Sequence, residues 1–333
     1  MEIKKKILIL SDRRAGHLNQ SIAFCKYMKL DYDIVEVRFK NRFLRLISYL
    51  FDRVGIYNMS IFDMSMNTQV KPEYDKFCHS CEGRNLEITI DNQWIQLLLK
   101  NKKYNLVACA GSSTYYAVRV MAKKLNLKSI SMMLPRGYRY NFDYIFAQSH
   151  DNPPKRENII PIPANFAYIE PQHLCSLDKK SVGIVIGGDN SILHMSKELL
   201  KKQLDAIFDL YHSYEIAVTT SPRTAKEIEE LLEGYDFAYK MIYSKEPLNP
   251  IPDFLDQCEV VCITMDSTSM ISEAISYGNA AVIVLPLLAK RENKFSSLVT
   301  SLESEGYLHI FDGTIEQKNR KIDFKQYLKG IYL

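Results

Sequence analysis

Short apolar runs rich in β-branched residues alternate along this chain with longer stretches whose apolar positions recur every three or four residues. The runs Lys6–Leu10, Asp33–Val37, Asn105–Ala110, Lys128–Met132 and Asp143–Ala147 predict buried strands in the first half. Ser181–Ile186, Tyr214–Thr219, Asp236–Met241, Val260–Thr264 and Ala280–Val284 do so in the second. Between them the helical period predicts helices over Asn19–Met28, Phe39–Val54, Gln93–Lys100, Tyr115–Leu125, Glu198–Tyr211, Pro252–Cys258 and Phe295–Glu303. The strand–helix alternation occurs twice, with Pro153, Pro154, Pro161 and Pro163 marking the crossing. The pattern predicts an α/β protein of two Rossmann-like domains facing across a cleft. The domains are residues 1–160, with a poorly patterned insertion over about 70–91, and 161–333. The tail past Asp312 could cross back to the first domain.

The stretch with most chemistry is Val260–Val284, VVCITMDSTSMISEAISYGNAAVIV. It reads strand, polar turn, helix, a stop at Gly278, strand, and the turn falls at a strand's C-terminal edge, where open parallel sheets bind ligands. Asp266, Ser267, Thr268 and Ser269 are by themselves ordinary helix-capping residues. Glu273 adds to them, one helical turn beyond Ser269 and two beyond Asp266. Helix N-termini attract anions, so the turn could hold a diphosphate while Glu273 accepts hydrogen bonds from a ribose. Two more loops reach the same edge. Gly187 and Gly188 would let backbone approach a phosphate or sugar. In Thr220-Ser221-Pro222-Arg223, Ser221 and Pro222 open the next helix, and Arg223 either neutralises phosphate or stays in solvent.

The first domain offers the loop SDRRAGHLNQ, Ser11–Gln20. His17 and Asp12 are its groups suited to proton transfer, with Gly16, Asn19 and Gln20 on the acceptor side. Equally, Asp12 could cap the helix and His17 lie on the surface. His150 with Asp151 is a second candidate pair. In Phe39–Val54, residues Phe43, Leu46, Ile47, Leu50, Phe51 and Val54 recur at helical spacing beside Arg42, Arg45 and Arg53. Such a helix could dock on an anionic membrane surface or a lipid-linked acceptor, but more commonly packs on its own domain.

The bulk numbers narrow the classes. With 333 residues, 47% of them hydrophobic and 25% charged, the chain can bury two cores. A net charge of +4, dispersed along the chain, argues against nucleic acid as a partner. No apolar run approaches the ~18 residues of a transmembrane helix. The start, MEIKKKILILSD, is too short in its apolar part for a signal peptide, so a cytoplasmic protein is expected, with a peripheral place on the inner face of the membrane as a further option. Of seven cysteines, Cys25, Cys109, Cys258 and Cys262 fit reduced core positions, and Cys78 and Cys81 lack further ligands at zinc spacing. Asp31-Tyr32-Asp33 spells DxD, but before a strand of the wrong domain. Neither a metal nor a resident cofactor is expected.

Several motifs together carry a resemblance. SDRRAGHLNQ, YNLVACAGSS, FDYIFAQSHDNPPKRENIIPIPA, IVIGGDNS, VTTSPRT and TMDSTSMISEA followed by Gly278 resemble, in order, the mitochondrial fission ELM-type family. Bacterial members are regarded as glycosyltransferases of envelope polysaccharide or lipopolysaccharide pathways, with an architecture similar to the two-domain GT-B enzymes. The resemblance implies a nucleotide-sugar donor held by the second domain, with Glu273 on the ribose, and a glycan or lipid-linked acceptor on the first. Gly16-His17 also resembles the first-domain loop of the peptidoglycan N-acetylglucosaminyltransferase. The Arg13-Arg14 pair is heavier in charge than the family's usual glycine-rich loop, and Tyr57–Asp91 matches little. Within that region Phe77–Glu87 resembles translated palindromic repeats inserted in some bacterial proteins. A catalytically lapsed scaffold is the rival reading. A sugar-nucleotide epimerase ranks below it, because the first strand–helix junction lacks a complete GxGxxG.

Overall fold

The computed structural model describes residues 6–66, 104–177, 180–289, 294–314 and 319–332. The chain forms two compact units, Met1–Tyr168 with Phe324–Leu333, and Ile169–Asp323. The expected insertion, the helix over Gln93–Lys100 and the Cys78–Cys81 pair lie outside the described residues.

The first unit carries β1 (Lys6–Ser11), β2 (Asp31–Phe39), β3 (Phe62–Met66), β4 (Leu106–Cys109), β5 (Lys128–Ser131), β6 (Tyr144–Gln148) and β7 (Ile159–Ile162). Its helices are α1 (Ala15–Met28), α2 (Arg42–Val54) and α3 (Tyr115–Leu125). The sheet runs β3-β2-β1-β4-β5-β6-β7, parallel except for β3, which pairs antiparallel with β2. Ile7 to Leu10 and Leu106 to Cys109 are buried, as central parallel strands covered on both faces must be. Strand order reverses between β1 and β4, so the loops after these two strands open beside each other.

Among the described residues of this unit, two strands were not foreseen. β3 falls in the poorly patterned region, and β7 contains Pro161, which a sheet accepts at its edge. The unit also extends past the expected boundary at 160. Phe166 packs edge-on to Phe146 at 5.0 Å and stacks on Phe324 at 4.6 Å, which holds the segment to Tyr168 and the returning tail in one core.

In the second unit, β8 (Ser181–Ile186), β10 (Glu215–Thr220), β11 (Tyr239–Met241), β12 (Val260–Thr264), β13 (Ala281–Leu285) and β15 (His309–Ile310) form a parallel sheet in the order β11-β10-β8-β12-β13-β15. A short antiparallel pair, β9 (Leu193–His194) with β14 (Leu288–Ala289), stands apart. The helices are α4 (Lys197–Leu210), α5 (Lys226–Leu232), α6 (Ile251–Gln257), α7 (Thr268–Ala274) and α8 (Lys294–Ser304). Here the strand order reverses between β8 and β12. Both units are thus Rossmann-like.

Helix ends depart from expectation in three places. α1 starts at Ala15, not Asn19, which puts His17 in its first turn. α5 starts at Lys226 after Ala225, and Ser221 caps only a tight turn, its hydroxyl accepting from the Arg223 amide at 3.2 Å. α7 ends at Ala274, and Gly278 lies beyond it with φ 68°. A Cβ on Gly278 would come 1.9 Å from the Leu255 carbonyl oxygen, so glycine is required there by close approach as well as by φ.

α2 is the largest surprise. It packs with polar residues inward. Ser48 and Asp52 are its fully buried residues. Asp52 pairs with buried Arg119 on α3 and accepts from the Arg139 amide at 2.7 Å, while the Ser48 hydroxyl meets the Tyr138 hydroxyl at 2.8 Å. Burial, and after it the Arg139 charge, pushes the Arg119 guanidinium down to about 10. Leu44, Tyr49 and Phe51 are half-buried against the core, and Phe43, Leu46, Leu50 and Val54 face outward.

Candidate functional site

Each unit gathers most of its expected site residues at its own reversal of strand order, His150 and Asp151 after β6 excepted. In the first, the chain leaves β1 through Asp12 and Arg13. Arg13 has a left-handed backbone, φ 68°, and is held there by Glu36, whose Oε2 accepts from Nε and Nη2 at 2.6 Å. This turn brings Asp12 under the first turn of α1. His17 Nδ1 lies 3.1 and 3.0 Å from the two Asp12 oxygens. Burial works to raise the Asp12 carboxyl, but the His17 hydrogen bond, the His17 charge and the Arg14 amide outweigh it and leave it below the ordinary value. An ionised carboxylate only accepts, so Nδ1 carries a proton, and Nε2 is the ring nitrogen that no described residue engages.

Gly111, the first residue of the turn after β4, makes room for the imidazole. Its φ is 92°, and a Cβ there would stand 2.2 Å from His17 Nδ1. Ser112, next along, accepts from Arg45 Nη2 at 2.9 Å. Of the expected acceptor-side residues, Gly16 and Asn19 are half-buried on α1. Gln20 is buried and donates to the Gly16 carbonyl at 3.2 Å, so it supports the turn from inside. His150 and Asp151 are not a comparable pair. They stand 4.0 Å apart, and Asp151 accepts from Arg136 Nη2 at 2.8 Å.

In the second unit the expected donor residues divide. Asp266 is fully buried and committed to the protein. Its Oδ1 accepts from Thr264 at 2.7 Å, and its Oδ2 from Arg223 Nη2 at 2.6 Å and the Gly188 amide at 3.2 Å. The glycines serve this packing. A Cβ on Gly187 would lie 2.1 Å from Asp266 Oδ1, and one on Gly188 2.0 Å from the Arg223 carbonyl. They admit protein groups where a ligand was expected. Thr220 is likewise engaged, accepting from the Tyr243 amide at 2.8 Å. Arg223 keeps 42% of its side chain exposed beside Asp266.

The other four sit on or beside α7. Ser267 caps it, accepting from the Met270 amide at 3.4 Å. Thr268, Ser269 and Glu273 are half-buried on the helix, with Ile271 and Ala274 turned into the core. No hydrogen bond or ion pair to another described residue reaches the Glu273 carboxylate, and burial pushes it up to about 7.

The sequence profile of the Mitochondrial fission ELM1 family matches residues 15–326. The chain belongs to that family. No curated protein matches it. Similar solved structures include Acinetobacter baumannii MurG, 11% identical over 94% of this chain and 87% of that one, with a TM-score of 0.46. UDP-GlcNAc 2-epimerase from Methanocaldococcus jannaschii is 14% identical over 95% of each chain, TM-score 0.49. A UDP-glucosyltransferase from Polygonum tinctorium is 11% identical over 90% and 83%, TM-score 0.47. At that distance these likenesses assign no activity to this ELM1-family chain.

Sequence reasoning missed four participants. Glu36 fixes the strained Arg13, and Gly111 seats His17. Thr264 bridges Asp266 and the Gly187 amide, which it meets at 2.7 Å. Asn190 ties the glycine loop to the Asp266 carbonyl at 3.3 Å. Only Gly111 had a local signal, as a glycine directly after a strand. Among the described residues no cluster of His, Cys, Asp or Glu is placed to hold a metal ion, and no helix is long and apolar enough to cross a membrane.

Proposed function

We propose that this chain is a glycosyltransferase that moves a sugar from a nucleotide-sugar donor to a hydroxyl of a cell-envelope glycan, such as lipopolysaccharide, or of a lipid-linked acceptor. The observation that carries the reading is Glu273. A half-buried carboxylate with no partner among the described residues costs stability, and at a strand-order reversal that cost is what a ligand bearing hydroxyl donors would offset. The two hydroxyls of a ribose match that need.

In this reading the donor diphosphate lies at the start of α7, near Ser269 and the exposed side of Arg223. His17 Nε2 removes the proton from the acceptor hydroxyl as its oxygen bonds to the anomeric carbon and the bond to the diphosphate breaks. Asp12 holds the imidazole in the tautomer that can do so and stabilises the imidazolium that forms. The leaving diphosphate's charge is met by Arg223 and backbone amides, so the reaction as drawn needs no metal. The proposed location is cytoplasmic, where nucleotide sugars are made.

The test is a thermal-shift and hydrolysis screen of the purified chain across common sugar nucleotides, repeated with Glu273→Ala. Donor-dependent stabilisation that Glu273→Ala loses supports the reading; no response to any donor defeats it. An epimerase would return an epimerised nucleotide sugar, whereas a transferase releases nucleoside diphosphate. The mutual neutralisation of Arg223 and Asp266 favours one rival, a scaffold that has lost catalysis. Function in cells that survives both His17→Ala and Glu273→Ala would select it.

A further inference from the structure

We propose that α2 docks this protein on an anionic lipid bilayer. In this arrangement Phe43, Leu46, Leu50 and Val54 are turned into the lipid, and the basic groove at the helix's N-terminus meets lipid phosphates. Those four side chains are 68, 66, 59 and 60% exposed, and their spacing of three, four and four residues puts them on one face. The helix cannot roll to hide them. Asp52 is anchored to Arg119 in the interior, and Ser48 to Tyr138, so burying the apolar face would drag a buried ion pair into water. From Phe43 to Val54 the helix is about 16 Å long, which suits lying in the headgroup layer and is too short to span it.

Charge selects the occupant. Arg42 and Arg53 flank the apolar face at either end, and neither side chain makes a hydrogen bond or ion pair with a described residue. Arg38 and Lys40, unpaired in the same sense, join Arg42 and Arg45 in lining an open groove of about 790 Å³. Of the acidic residues there, Glu36 is held by Arg13 and Asp12 by His17, which leaves Asp63 beside Arg38 on the neighbouring strand. Cations around an apolar stripe are what an anionic membrane surface attracts. A second copy meeting this face about a two-fold axis would bring like charges together instead.

The experiment is co-sedimentation of the full chain, without donor, on vesicles of phosphatidylcholine with and without phosphatidylglycerol. The expected result is binding to the anionic vesicles that weakens with salt. Leu46→Glu with Leu50→Glu should abolish it, and Arg42→Gln and Arg53→Gln should each lower affinity roughly fivefold. All four positions lie on the surface, and unchanged circular dichroism and melting would show that the variants fold. Wild-type protein that ignores anionic vesicles would overturn the proposal, as would a Leu46→Glu, Leu50→Glu variant that binds as well as wild type. A wild-type dimer that this variant converts to monomer would also overturn it, in favour of self-association. Because no donor is present, the outcome is separate from the fate of the sugar-transfer reading.

Discussion

The two strand-order reversals use the same ingredients to different ends. After β1, a carboxylate and an imidazole meet so that one ring nitrogen is left for solvent or substrate. After β8, β10 and β12, a carboxylate and a guanidinium meet so that the carboxylate is fully spent and the guanidinium in part, with two glycines shaped around them. The residue left over in the second unit is Glu273, one turn into α7, outside that knot. A charged residue near a ligand-binding edge therefore means little until its partner is known. Asp12 polarises a base, whereas Asp266 fixes a loop.

The sharpest way to break this comparison is at His17. If its Nε2 is the base, His17→Ala should lower kcat roughly 10²–10⁴-fold while leaving the melting temperature nearly unchanged, read by turnover with the donor found in the screen. A large loss of stability with little loss of turnover would make the first site structural like the second. Next in size is Asp266→Ala, which strands the Arg223 guanidinium and the Gly188 amide. It should destabilise the fold by about 3 kcal/mol in urea unfolding, whatever its effect on donor binding. Glu273→Ala should do the reverse, weakening donor affinity about tenfold or more by calorimetry without destabilising the chain.

The last test is the pH dependence of Glu273. Its folded pKa, about 7, lies above the unfolded value near 4.5, so between those values the native state holds a proton the unfolded chain has released. Stability therefore falls as pH rises through that window, and the cost is complete above it. Glu273→Gln should raise stability by about 2 kcal/mol at pH ~8 and by almost nothing at pH ~4.5, measured by thermal melts at both. Equal effects at both pH values would mean the carboxylate already has a partner.

Much of this site was legible in the residues. Short β-branched apolar runs located the central strands, and the ends of β1, β8 and β12 are where Asp12, Gly187 and Asp266 were expected to matter. The helix start at Ala15 was not legible, because Arg14 before it offers no capping side chain and Gly16 is a poor helix former. Nor was β3, whose Phe62–Met66 strand is stabilised by pairing with β2 more than by its own pattern. The glycine loop invited a phosphate reading because glycine's small size is equally useful to a ligand and to a neighbouring side chain.

By itself the sequence determined the α/β architecture, the two-fold repetition of the Rossmann-like pattern and the list of residues able to do chemistry. Apolar periodicity and turn residues are local properties, and they suffice for that. Only the tertiary structure decided which charges pair and which face of a helix turns inward. Phe43, Leu46, Leu50 and Val54 read as a core-facing stripe until Asp52 finds Arg119, 67 residues away, and turns the helix over. A pattern specifies that residues share a face; long-range partners specify what that face meets.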